Sequence, residues 1–151
     1  MEKKKVAEKI NHLIEINNDR VEGYDRAVDE VEDPKLKATF LDLSLQSKGF
    51  RTELEGLVKG LGETPTTGTS VSGKVYRAWM DIKAALTGKD KKKILNSCEF
   101  GEDVAKDSYK DVLNDKQMLP NNVKDVVEKQ FSEIKQSHDK IKSMRDSADI
   151  R

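Results

Sequence analysis

Apolar positions recur at alternating steps of three and four residues through almost the whole chain, the period of amphipathic helices packed side by side. From about Lys4 to Val31 the stripe runs through Val6, Ile10, Leu13, Asn17, Val21, Tyr24, Val28 and Val31. A second helix, about Pro34 to Leu61, carries Leu36, Phe40, Leu43, Ser47, Phe50, Leu54, Leu57, Val58 and Leu61. Asp33-Pro34 supplies an N-cap and a proline at the first helical position, where its missing N–H costs nothing, and Gly62 suits the C′ position. A third helix, about Asp90 to Asn114, turns Ile94, Cys98, Gly101, Ala105, Ser108, Tyr109 and Val112 inward. The fourth, about Pro120 to Ser147, uses Val123, Val127, Gln130, Ile134, Ile141 and Met144.

Between the second and third helices, Gly62 to Ser70 is a loop by composition, and Val71 to Leu86 predicts a shorter helix with Val75, Trp79, Ile82 and Leu86 on one side. Gly88 ends it. Four helices of about 40 Å each, with one longer connection, predict an all-α four-helix bundle with a short crossover helix. Residues 1–151 are expected to form one domain. A connection that runs the length of the bundle leaves the second and third helices parallel; a tight turn gives the simple up-down order.

Charged residues make up 37% of the chain and apolar ones 35%, with mean hydropathy −0.76. Disorder would be one outcome of that balance, but the regular spacing argues for helices with charged outer faces. The 28 basic and 28 acidic residues cancel, so no global field favours nucleic acid or an anionic membrane. Lys3-Lys4-Lys5 and Lys91-Lys92-Lys93 lack interleaved aromatics and are expected to be solvated helix ends. No apolar run approaches membrane-spanning length, no signal core is evident, and the single cysteine excludes an intrachain disulfide. A cytoplasmic protein is the expectation.

Several polar residues fall where the core should be. Glu102 and His138 lie on the apolar sides of the third and fourth helices, Asn17 and Gln130 on those of the first and fourth, and Arg51 flanks the seam of the second beside Ser44 and Ser47. Such groups are rarely buried unpaired, because desolvation costs several kcal/mol or shifts a pKa. One reading is a polar network of Asn17, Arg51, Glu102, Gln130 and His138 that fixes helix register, with no cofactor. The alternative is a reduced mononuclear site for iron or manganese on Glu22, Glu102 and His138, all near mid-helix. A full di-iron centre fails on ligand count: the second helix has no histidine, and the residue three before His138 is Lys135 rather than glutamate.

Glu99 and Asp103 lie further round their helix and are expected at its boundary or surface, and His12 points away from the first apolar face. Cys98 faces inward and is expected to pack. No Cys-x-x-Cys, phosphate loop or nucleophile elbow is present. Trp79, Tyr76 and Met80 are expected to cover the bundle, with a homodimer through the crossover helix as the alternative.

Four groups of residues together resemble a known family: Glu22-Gly23-Tyr24, then Arg77-Ala78-Trp79 with Ala84-Ala85-Leu86-Thr87-Gly88, then Cys98-Glu99-Phe100-Gly101-Glu102-Asp103, then Gln130 with His138-Asp139 and Arg145. The chain is similar over essentially its whole length to small bacterial four-helix-bundle proteins of unknown function within the ferritin-like superfamily. The resemblance implies a ferritin-like bundle with a crossover helix and a bacterial cytoplasmic setting, and no activity. The expected function is therefore a non-enzymatic helical bundle with a structural or weakly binding polar network. Two alternatives stand beside it: a metal-binding or metal-dependent redox and stress-protection protein, and an interaction module acting through the crossover helix.

Overall fold

Asp33 breaks the chain between its first two helices. Its side chain accepts hydrogen bonds from the backbone N–H groups of Lys35 (2.9 Å) and Leu36 (3.2 Å), satisfying two donors that the first turn leaves free. Pro34 follows at the first helical position. The computed structural model describes residues 2–69, 91–115 and 119–148, which form four long helices and no strand. They are α1 (Lys3–Glu30), α2 (Pro34–Gly60), α3 (Lys91–Leu113) and α4 (Asn121–Ala148). At the far end of α2, Gly62 adopts φ +78°, its N–H bonds to Lys59 O (2.9 Å), and Glu63 N–H bonds to Val58 O (3.2 Å). This paired closure needs a left-handed residue, which glycine supplies without a Cβ clash.

α1 packs chiefly on α2, and α3 on α4; the two hairpins meet through α1 against α3 and α2 against α4. Because α1 is covered by two neighbours, its buried arc is wider than a single stripe. It includes Leu13, Ile14, Ile16, Asn17, Arg20, Tyr24 and Ala27, whereas Val21 and Val28 are only half-buried. Across the α1–α2 contact, Tyr24 and Phe40 stack with ring centroids 5.6 Å apart. Ile10, Leu54, Leu95, Val127 and Ile134 are fully buried around the axis, each such side chain contributing about 1.5–3 kcal/mol of transfer free energy.

Ion pairs at the two ends show the direction of each helix. Lys91 at the start of α3 lies 3.5 Å from Asp33 at the start of α2, and Lys9 near the start of α1 pairs with Asp115 just past α3. α2 and α3 therefore begin at the same end and run parallel, so the connection between them returns over the length of the bundle. Its first part climbs α1: Asn11 bonds Thr64 O (3.3 Å) and Thr66 N (3.0 Å), and Asn18 bonds Gly68 O (2.8 Å) two turns further on. The helix expected over Val71–Leu86, with Trp79 and the homodimer face, lies outside the described residues, as does Asp90. No helix among the described residues is long and apolar enough to cross a membrane.

Candidate functional site

The middle of the bundle holds a continuous chain of polar side chains contributed by all four helices. Its centre is Arg20 on α1, fully buried, facing Glu102 on α3, also fully buried. Arg20 Nε and Nη2 donate to Glu102 Oε1 at 3.1 and 3.0 Å, and Nη2 also lies 3.2 Å from Oε2. Nη1 donates to Ser47 Oγ (2.7 Å) and Nη2 to Gln46 Oε1 (3.0 Å), both on α2. Each guanidinium nitrogen thus has an acceptor, the condition under which a buried arginine is tolerated. The Tyr24 hydroxyl donates a short 2.6 Å bond to Glu102 Oε1, and the Arg20 guanidinium carbon sits 5.8 Å from the Tyr24 ring centroid.

From Ser47 the chain continues across the bundle. Ser47 Oγ donates to Asn17 Oδ1 (3.0 Å); Asn17 Nδ2 donates to Leu13 O and to the Tyr109 hydroxyl (both 2.8 Å). Tyr109 in turn donates to Gln130 Oε1 on α4 (2.7 Å). Gln130 Nε2 closes onto α2, at Phe50 O (3.3 Å) and Glu53 Oε1 (3.2 Å). α1 supplies Asn17, Arg20 and Tyr24 and α2 supplies Ser47 and Phe50 at one-turn intervals, so that they stack along the inner faces, and Gln46 adjoins Ser47.

Burial sets the titration of this region. Desolvation lowers the affinity of Arg20 for its proton, but the Glu102 carboxylate, the tyrosines and the hydrogen bond to Glu102 outweigh it and leave the guanidinium above its usual value. Burial pushes the Tyr24 phenol well up, with the Glu102 charge adding to the shift, and it pushes the Tyr109 phenol up as well. The Cys98 thiol is raised by burial and by Glu102, so it packs as a small apolar group and is not poised as a nucleophile.

A second grouping lies on the α3–α4 seam. His138, with about a tenth of its side chain exposed, has Nε2 2.8 Å from Asp103 Oδ1 and 3.8 Å from Glu99 Oε1. Its Nδ1 lies 3.1 Å from Asp139 Oδ1, and this contact holds the Asp139 carboxyl below the usual carboxylate range. Glu99 Oε2 is paired with Arg145, and Lys106 is 3.7 Å from Asp103. Glu99 and Asp103 are one turn apart on α3, so both reach the same point on α4.

Sequence reasoning placed the polar residues on inner faces but paired them differently. Asn17, Glu102 and Gln130 belong to one network. Arg51 does not reach Glu102: it is half-buried and donates to Asn18 Oδ1 (3.1 Å), because its long side chain leaves the seam toward α1. His138 turns to the seam carboxylates instead of the Glu102 network. Glu22 is exposed, two positions past Arg20 and so rotated away from the inner face, and the structure does not bring it to Glu102 and His138. Arg20 was missed, although it lies three residues after Asn17 and four before Tyr24; that spacing was the available signal. Glu99 and Asp103 sit at the boundary as expected, but with His138 beside them.

A comparison with curated proteins finds no match. The family comparison places residues 5–115 in a domain of unknown function. That span covers α1, α2 and α3, and with them Arg20, Glu102, Tyr109 and the seam carboxylates Glu99 and Asp103; Gln130 and His138 lie beyond it. On that match the chain belongs to the family of the domain of unknown function DUF2383.

Proposed function

We propose that this chain is a ferritin-like helical bundle acting as a binding or scaffolding protein rather than an enzyme, with the mid-bundle network holding its helices in register. The observation that carries this reading is the unbroken hydrogen-bonded path from Glu102 through Arg20, Ser47, Asn17 and Tyr109 to Gln130, which touches every described helix. A path in which each nitrogen of the central arginine already has an acceptor leaves little for a substrate to bind. Its geometry changes if any one helix slides by a turn, about 5.4 Å, so it discriminates among registers that the apolar stripes alone accept. The parallel order of α2 and α3, with a connection returning over the bundle, supports the ferritin-like arrangement.

Replacing the pair as a unit tests the register role. Arg20→Met with Glu102→Leu removes both charges and keeps the volume, so stability is expected to stay near wild type or rise. If the network selects register, the double variant shows reduced amide dispersion in two-dimensional NMR and a weakened near-ultraviolet dichroism. A double variant with one well-dispersed set of resonances sinks the register role.

A further inference from the structure

The seam around His138 has a feature that the mid-bundle network lacks: both ring nitrogens face carboxylate oxygens, Nδ1 toward Asp139 and Nε2 toward Asp103 and Glu99. A neutral imidazole carries one N–H. When Nδ1–H donates to Asp139, Nε2 carries no proton and has carboxylate oxygens 2.8 and 3.8 Å away. That arrangement is repulsive unless a cation lies between them, either a second proton or a metal ion.

We infer that Glu99, Asp103 and His138 form a binding site for a divalent first-row transition metal ion on the α3–α4 seam. One oxygen or nitrogen from each residue lies within 4.8 Å of the other two. Ligands cis to one another on an ion with bonds of about 2.1 Å are about 3.0 Å apart in an octahedron and about 3.4 Å in a tetrahedron. The two distances from His138 Nε2, 2.8 and 3.8 Å, bracket those values, and the two carboxylate oxygens lie within 4.8 Å of each other, so side-chain rotation is needed to close the site. A hydrogen bond from the remote nitrogen to a carboxylate is the usual support of a metal-binding histidine, because it fixes the tautomer and raises ligand basicity; Asp139 occupies that place. Arg145 holds Oε2 of Glu99 and leaves Oε1 to face the ring. One imidazole and two carboxylates suit Mn²⁺, Fe²⁺, Co²⁺ or Zn²⁺, and three protein ligands leave positions for water or an exogenous ligand. Three carboxylates stand near the ring, with Arg145 on Glu99, Lys106 on Asp103 and Lys135 acting on Asp139, so the affinity for a dication is expected to be moderate.

The test titrates the full chain, freed of metal, with Co²⁺ followed by visible absorption and with Zn²⁺ and Mn²⁺ by calorimetry. One equivalent per chain is expected. His138→Ala and Asp103→Asn each abolish saturation, and Asp139→Asn, which removes no ligand, weakens binding about tenfold or more. Glu22→Gln leaves binding unchanged, since that side chain is exposed and remote from the ring. Helical dichroism confirms that each variant is folded; if His138→Ala is not, the nearly isosteric Asp103→Asn decides alone. No saturable binding by wild type, or binding that survives Asp103→Asn, overturns the site. A purely structural imidazolium clamp predicts that outcome.

Discussion

Glu102 and Glu99 lie three residues apart on the same helix, yet they stand in opposite situations. Glu102 faces the interior and meets an arginine and a tyrosine from α1, with all three side chains withdrawn from solvent. Glu99 faces the α3–α4 seam, where Asp103 and Asp139 add negative charge around one imidazole. In the core the chain supplies its own cation, in a geometry that matches the carboxylate with two parallel hydrogen bonds. At the seam Arg145 holds the far oxygen of Glu99, while Lys106 lies 3.7 Å from Asp103 Oδ1, the oxygen that also approaches the ring, so no single cation closes the group as Arg20 closes Glu102. A rotation of about 60° around one helix separates a closed structural element from a candidate binding site.

The sharpest way to break this contrast is to remove the core cation alone. Arg20→Met leaves Glu102 buried and charged with only Tyr24 as a strong donor, and it is expected to cost about 3–5 kcal/mol in urea denaturation. A loss under about 1 kcal/mol would mean that water reaches Glu102 and that the core is no more sealed than the seam. Next in size is Tyr109→Phe, which removes the hydroxyl joining Asn17 to Gln130. It strands a buried amide donor on one side and an acceptor on the other, so a cost of about 1–3 kcal/mol is expected by the same assay.

The four helices follow from the apolar stripes because each buries a continuous face, and the Asp33-Pro34 and Gly62 boundaries follow from cap chemistry that acts locally. Arg20 was illegible for a physical reason. A stripe is traced through apolar residues, so between Asn17 and Tyr24 the eye takes Val21, although the inner face passes through position 20. Burial of that arginine depends on Glu102, 82 residues away, and no local pattern contains the partner. The seam failed differently. Glu99 and Asp103 have a boundary azimuth on their own helix, and only the packing of α4 against α3 turns that boundary into His138's surroundings. The direction of α3 was open as well, since the length of a connection does not say whether it crosses the bundle; the Lys91–Asp33 pair does.

Alkaline and acid titration separate the two regions. Burial raises the folded-state phenols of Tyr24 and Tyr109 above their unfolded value of about 10. Above that pH the unfolded chain releases protons that the folded one keeps, so stability is whole below about pH 10 and falls as pH rises beyond it. Melting temperatures measured from pH 8 to about 11 are expected to fall less steeply in Tyr109→Phe than in wild type, once offset for its lower starting value. Equal slopes would mean that Tyr109 ionises as freely when folded as when unfolded, contrary to its burial.

The smallest effect lies at the seam, and its sign is opposite. The hydrogen bond with His138 lowers the folded-state carboxyl of Asp139 below its unfolded value of about 3.9. In that case the unfolded state binds the proton first, so the contribution is complete above about pH 4 and is lost as pH falls through the lower folded value. Asp139→Asn cannot take up that proton, and its melting temperature is expected to decline slightly less than that of wild type between about pH 4 and 2. The carboxyl is solvent-exposed, so the difference is small and shrinks as salt is added. A salt-independent difference, or one as large as that produced by Tyr109→Phe at high pH, would place Asp139 and His138 inside the sealed part of the bundle. The distinction between a closed core and an open seam would then fail at the residue on which metal binding depends.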